Sequence, residues 1–265
     1  MIKTQSLNSF INLAKDTLNH FSKIKSSIFK IFGLIALLTI VFDFSPQYMS
    51  KVFEGNFYVL SLSMLVYVIY IIFNAILIVG FISSLKKKKS VSIKRAFNRG
   101  LDLLVPSIWV GMIMFIAQVG AFSLFIIPGI ILTVYLAFAK ISVLIDGKRG
   151  IDSLVYSFNI VRGYWFKIVW KMFIGSLTLL ITISFIGIIL ALIPVSEEVY
   201  AYMNTVLAML VMVPLQLIYT YHLYQDVKSK PRVEIKFKVM KVINFAIVVG
   251  SMLTILISSM VIYLI

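Results

Sequence analysis

Lys140 stands alone in an apolar run, YLAFAKISVLID at residues 135–146. An ammonium group at the centre of a membrane span costs ~2.5–3.5 kcal/mol or more, and charges held there often carry protons, ions or ligands. Three roles fit it. The side chain can snorkel to water, because Asp146 lies only about 9 Å of helix rise further on. It can join a buried hydrogen-bonded site, or it can serve a transport path. Four amides share its setting, since Asn74, Gln118, Asn204 and Gln216 all lie well inside apolar stretches. Such amides join neighbouring helices for about 0.6 kcal/mol each. A polar path would require several of them to face one space together with Lys140.

A second set of residues suits a charged surface. The stretch SSLKKKKSVSIKRAFNRG (83–100) carries Lys86, Lys87, Lys88, Lys89, Arg95 and Arg99 without a single acid. Further on, RGYWFKIVWK (162–171) brings together Arg162, Trp165, Lys167, Trp170 and Lys171. Tryptophan prefers the headgroup level of a bilayer, and each basic side chain near that level attracts anionic lipid by about 1 kcal/mol. These eleven residues are therefore lipid-headgroup candidates, besides orienting the chain. Nucleic acid is not expected, because no stacking aromatic lies on the exposed face and no binding module surrounds the patch. Catalysis finds no footing either. His20 and His222 are far apart, cysteine is absent, and no HExxH, GxSxG or phosphate-cradling loop occurs. Glu197 and Glu198 more simply solvate a short loop than hold a cation. No enzyme, metal or cofactor is expected.

The elements that carry these residues follow from composition. The chain has 265 residues, of which 61% are hydrophobic and 13% charged, with a mean hydropathy of +1.02. Soluble domains carry about 25% charged residues, so most of this surface must face lipid. The net charge of +15 then belongs to short connections. Residues 1–25 are amphipathic, with no unbroken apolar core and no small-residue cleavage site, so no signal peptide is expected. A bilayer core of ~30 Å takes about 20 apolar residues per helix, and seven stretches qualify. They run from about Ile28 to Phe44 (stopped by Ser45-Pro46), Phe57 to Leu85, Val105 to Phe125, Ile127 to Ile145, Phe166 to Pro194, Val199 to Tyr224, and Val242 to Ile265. The second would span roughly 43 Å, so it should tilt or project. The third and fourth meet at FIIPG, where Pro128 suits a first helical turn.

Charge orients these spans. With the N-terminus in the cytoplasm, every Lys and Arg except Lys51 falls inside, while Asp43, Glu54, Glu197 and Glu198 fall outside. The C-terminus is then outside. Three cytoplasmic segments have helical apolar stripes that favour the interface plane. They are Leu7, Phe10, Ile11, Ala14, Leu18 and Phe21; Ile93, Ala96, Phe97, Leu101 and Leu104; and Ile151, Leu154, Val155, Phe158 and Val161. In the last two, AFN (96–98) and SFN (157–159) precede Trp109 and Trp170 at equal distance, which suggests a repeated unit of in-plane helix plus hairpin. The expected fold is thus an all-α integral membrane protein of about seven spans with three interfacial amphipathic helices. Residues 1–225 form a six-span domain of repeats, 226–241 a basic linker and 242–265 the seventh span. Within PRVEIKFKVMK (231–241), apolar residues alternate with charges, which reads as an extended segment at the headgroups or a strand awaiting a partner chain.

The stretch FIIPGIILTVYLAFAKISVLIDGKRGIDSLVYSFNIVRGYW (125–165) resembles the signature region of a broad bacterial multi-pass family. That family includes integral membrane proteins with a domain of unknown function, and the membrane domain that precedes some glycerophosphodiester phosphodiesterases. The matching features are Ile127-Pro128-Gly129-Ile130, Asp146-Gly147, Ser157 and Arg162-Gly163-Tyr164-Trp165, and the likeness extends weakly over about residues 5–225. Lys140, where a proline is frequent, and the seventh span depart from it. The resemblance implies a six-span bacterial membrane fold and no activity, since the hydrolase domain is missing and fold alone does not supply function. Three roles fit the chain in the bacterial cytoplasmic membrane. It binds or organises anionic lipid or assists a membrane complex, with a protein partner or a second copy; it is a transporter or exporter component for a lipid, peptide or small ion; or it protects against membrane-active peptides.

Overall fold

The structure, a computed structural model, describes residues 7–52, 57–87, 90–231 and 240–252, excepting the side chains of 42–52, 57–60 and 63. Each regular element in it is helical. A span in lipid must satisfy its own backbone groups, and a helix does so within one segment. In chain order the helices are α1 (Phe10–Val52), α2 (Phe57–Ser84), α3 (Ile93–Leu124), α4 (Ile126–Tyr135) and α5 (Ala139–Asp146). There follow α6 (Gly150–Val161), α7 (Trp165–Ala191), α8 (Glu197–Leu207), α9 (Val213–Lys228) and α10 (Met240–Met252).

Among the described residues, six stretches are long and apolar enough to cross a membrane: Phe10–Val41, Met64–Lys87, Ile93–Leu124, Ile126–Asp146, Trp165–Ala191 and Glu197–Lys228. The chain is an all-α protein of membrane-spanning character. Where seven spans are expected from the sequence, α10 supplies only a shorter apolar helix, and 253–265 lie outside the described residues, as do 232–239 of the alternating segment.

Several boundaries differ from those expected. Helix α1 continues through Ser45-Pro46 to Val52. A proline costs a helix one hydrogen bond and a clash, about 3 kcal/mol, which so long a helix absorbs. Helix α3 runs unbroken from Ile93 to Leu124 with Pro106 inside it, so the amphipathic segment at 93–104 and its span are one rod. The fourth span, by contrast, is two helices separated by a turn at 136–138. Between α3 and α4 the chain reverses at extended Phe125, and Pro128 sits in the first turn of α4.

By contacts the chain forms two compact units that interleave along the sequence. One comprises Met1–Ser9, Leu103–Phe173 and His222–Ile265; the other comprises Phe10–Asp102 and Ile174–Tyr221. The core of the first gathers Val110, Ala117 and Ala121 of α3, Leu132 and Leu136 around the break, Leu154 and Val155 of α6, and Ile243 and Ala246 of α10. In lipid the hydrophobic effect does not hold helices together, so close packing through small residues must. Gly120 and Gly250 show this. A Cβ on either would run into backbone of the facing helix, the Ala246 carbonyl in one case and the Ile116 carbonyl in the other. The second unit uses the same device, where Gly80 of α2 meets the Ala96 carbonyl and Gly100 of α3 meets the Ile76 carbonyl. Phe32 and Phe81 pack edge to face there, 5.0 Å apart.

Of the described amphipathic stripes, that on α6 lands differently from expectation. On α1 the buried face carries Leu13, Thr17, His20 and Ile24, whereas Ile11 and Leu18 of the expected stripe are exposed. On α6, Leu154, Val155 and Val161 are buried, but so are Ser153 and Ser157, and Phe158 stacks on Tyr135 with centroids 4.0 Å apart. The face of α6 expected to meet lipid thus meets protein, because the break in the fourth span needs its serine.

Candidate functional site

The turn at 136–138 interrupts the backbone ladder, and Ser157 repairs it. Its hydroxyl donates to the Tyr135 carbonyl at 2.7 Å and accepts the Phe138 N–H at 3.1 Å. Ser157 is fully buried. Non-helical backbone at membrane depth is tolerated only where protein or water satisfies it, so α6 is what permits α4 and α5 to be separate helices.

Downstream, α5 ends at Asp146 because Gly147 adopts a left-handed conformation (φ 68°), which a side chain disfavours. A carboxylate at a helix C-terminus is opposed by the helix dipole, and Asp146 is held there by partners from other helices. Lys228 Nζ lies 2.5 Å from its Oδ1. The Tyr224 hydroxyl donates to Oδ2, and the Tyr156 hydroxyl approaches the same oxygen at 3.5 Å. Lys148 lies over the Tyr156 ring, 5.2 Å from its centroid.

Two residues along α9 from Tyr224, a second carboxylate serves a second set. Asp226 is almost wholly enclosed, its side chain 2% exposed. Its Oδ2 accepts the Asn8 N–H at 2.9 Å and lies 3.6 Å from Lys171 Nζ, while Oδ1 lies 3.5 Å from Lys230 Nζ. Lys171 also donates to the Asn8 carbonyl. One carboxylate and one ammonium thereby grip both backbone groups of a single residue, and the chain just before α1 is tied down without reference to its side chain. Tyr224 and Lys228 are four residues apart and so share one face of α9, whereas Lys230 reaches Asp226 from just beyond the helix end.

Sequence reasoning missed Asp146 and Asp226 as organising groups and placed Lys171 among the headgroup candidates. The structure puts Lys171 in the Asp226 set, 9% exposed. The signal in the sequence was slight: each is one of only ten acids in the chain.

The other candidates are distributed as follows. Lys86, Lys87, Arg95, Arg99, Arg162, Lys167 and Trp170 are exposed, and Lys88 and Lys89 lie outside the described residues. Among the described residues none of these cations enters an ion pair. Trp165 is half-buried and its indole N–H donates to the Ile131 carbonyl at 3.2 Å. Trp170 stacks on Phe173, 6.0 Å away. Of the intramembrane set, Asn204 donates to the Tyr200 carbonyl at 3.1 Å, a bond within its own helix. Asn74 Oδ1 and Gln216 Oε1 have no hydrogen-bond partner among the described residues. Gln118 lines a shallow open hollow with Phe115, Val119, Phe122 and Ser123, all on α3. Lys140 lies exposed against Gly111. No hydrogen bond joins any two of these five. A π-helical turn at Ala208–Met212 separates Asn204 from Gln216; such turns are frequent at functional sites.

The arrangement has two parts with different chemistry. Asp146 is paired with Lys228, and Asp226 with Lys171 and Lys230, in two separate internal sets. The exposed cations at the helix ends make no ion pair among the described residues. No family model, curated protein or solved structure matches this chain.

Proposed function

We propose that this chain is a non-enzymatic integral protein of a bacterial cytoplasmic membrane that gathers anionic lipid along its cytoplasmic side. One observation carries the reading. Lys86, Lys87, Arg95, Arg99, Arg162 and Lys167 are exposed and make no ion pair among the described residues, while half-buried Asp146 and buried Asp226 are already matched by other lysines. Placing these cations inside follows the bias of basic residues toward the cytoplasmic ends of spans. Exposed Trp109 and Trp170 suit the adjoining headgroup level. Each basic residue near an anionic surface contributes about 1 kcal/mol, so a cluster accumulates acidic lipid without a pocket. The same surface can dock an acidic partner protein.

The test replaces Lys86–Lys89, Arg95 and Arg99 together by Gln in the full chain and measures co-reconstituted acidic lipid. The expected result is a marked loss of phosphatidylglycerol enrichment around the protein, with orientation preserved. Enrichment that persists at the level of the unaltered chain would defeat the reading.

A second reading, a transporter component, draws on the interrupted fourth span, since broken helices form the binding sites of many transporters. Lys140 lies in the first turn after that break. If it takes part, Lys140→Ala lowers solute flux in proteoliposomes; equal flux removes it from that mechanism.

A further inference from the structure

We infer that Lys140 seats the phosphate of one anionic phospholipid beside α3, a site that rests on the lipid-gathering reading and adds a single defined position to it. Lys140 belongs to a stretch long and apolar enough to cross a membrane, Ile126–Asp146, yet its side chain is exposed. It does not run out along α5 toward Asp146. Its Cε and Nζ lie 3.1 and 3.4 Å from where a Cβ on Gly111 would stand. The ammonium therefore rests sideways on α3, in the notch a glycine leaves. Neither an ion pair nor a hydrogen bond links it to a described residue, and the nearest acid in sequence, Asp146, is held by Lys228 and Tyr224.

Around the notch the surface is oily. Ile108 and Phe115, one turn to either side of Gly111, are 52% and 62% exposed, and Met112 is 53% exposed. A cation among such side chains is unfavourable without an anion or water. An acidic phospholipid supplies both halves of the match, a phosphate for the ammonium and acyl chains for Met112 and Phe115, which lie on the bilayer side of Gly111. A zwitterionic lipid brings its own cation into competition with the lysine, so the seat favours phosphatidylglycerol-like lipids. A free phosphate matches the charge alone.

The full chain is released for native mass spectrometry from micelles containing phosphatidylglycerol and phosphatidylcholine. The unaltered protein should retain one phosphatidylglycerol after the loosely held lipids have been stripped. Lys140→Gln should lose it and Lys140→Arg should keep it. Gly111→Leu, which fills the notch, should also lose it while circular dichroism shows the helices intact. Inorganic phosphate should not displace it. Retention of that lipid by Lys140→Gln overturns the seat, and its displacement by inorganic phosphate overturns the lipid as its ligand. The surface variant with Lys86–Lys89, Arg95 and Arg99 replaced by Gln should keep this one lipid while losing bulk enrichment. Unchanged bulk enrichment in that variant counts against the broader reading alone; a lost lipid in Lys140→Gln still stands.

Discussion

Ser157 substitutes one hydroxyl for two backbone hydrogen bonds at the break in the fourth span. Ser157→Ala strands the Phe138 N–H and the Tyr135 carbonyl in a water-free interior, at a cost of about 1–3 kcal/mol. A lowered thermal midpoint in detergent is the expected result, and an unchanged midpoint would mean the break satisfies itself. Asp226 presents a steeper case. Removing one member of a buried ion pair costs about 3–5 kcal/mol, because the other charge is left uncompensated. Asp226→Ala should therefore destabilise strongly, and Asp226→Ala with Lys171→Ala should cost clearly less than the two single losses added together. Strict additivity in that cycle would dissolve the pair as an energetic unit. These residues were hard to read in the sequence. Asp146 is 78 positions from Tyr224, and the Asn8–Asp226 hydrogen bond spans 218 positions. Local spacing carries no trace of such partners. Lys140, by contrast, was conspicuous, because a lone charge in an apolar run is visible without coordinates.

At the scale of elements, glycine decides which helices touch. Gly120 and Gly250 let α3 and α10 approach until backbone meets backbone. Gly120→Leu should drive α10 away from α3, seen as faster amide exchange over residues 240–252 and a lower unfolding midpoint. Gly33→Ala serves as the control, since its Cβ would meet only Leu210 at an ordinary 3.8 Å; a change within about 0.5 kcal/mol is expected. Comparable damage from both would remove the close approach at Gly120 as its cause, since Ala and Leu both favour a helix more than Gly does. The small-residue spacing of Ala117 with Ala121, and of Ala246 with Gly250, was present in the sequence. It was obscured because glycine and alanine are common in such helices whether or not they lie at a contact. The stripe on α6 was over-read for a related reason. In a helix with apolar residues on most faces, hydropathy alone cannot separate the face that meets protein from the face that meets lipid, and Leu154, Val155 and Val161 fell on the buried side.

For the whole molecule, the proposed topology sets the exposed cations on one aqueous side and Glu197 and Glu198 on the other. The chain contains no cysteine, so Lys87→Cys and Glu197→Cys each introduce a single reporter. An impermeant thiol reagent applied to intact cells should label the Glu197→Cys protein and spare the Lys87→Cys protein until the membrane is opened. The reverse pattern would invert the topology and move the lipid-gathering face outside.

Composition and hydropathy by themselves determined that the chain is helical and of membrane-spanning character. Both properties depend on the average solvent each residue prefers, and that average survives without coordinates. The reversal at Pro128 was legible as well, because proline acts on its own backbone. Tertiary structure alone decided where the fourth span breaks, which lysines are consumed by buried acids and which remain exposed, and that the side chain of Lys140 lies across Gly111. Each of these depends on groups from distant segments meeting at specific atoms, and hydrogen bonds and ion pairs lose their strength over a few ångströms.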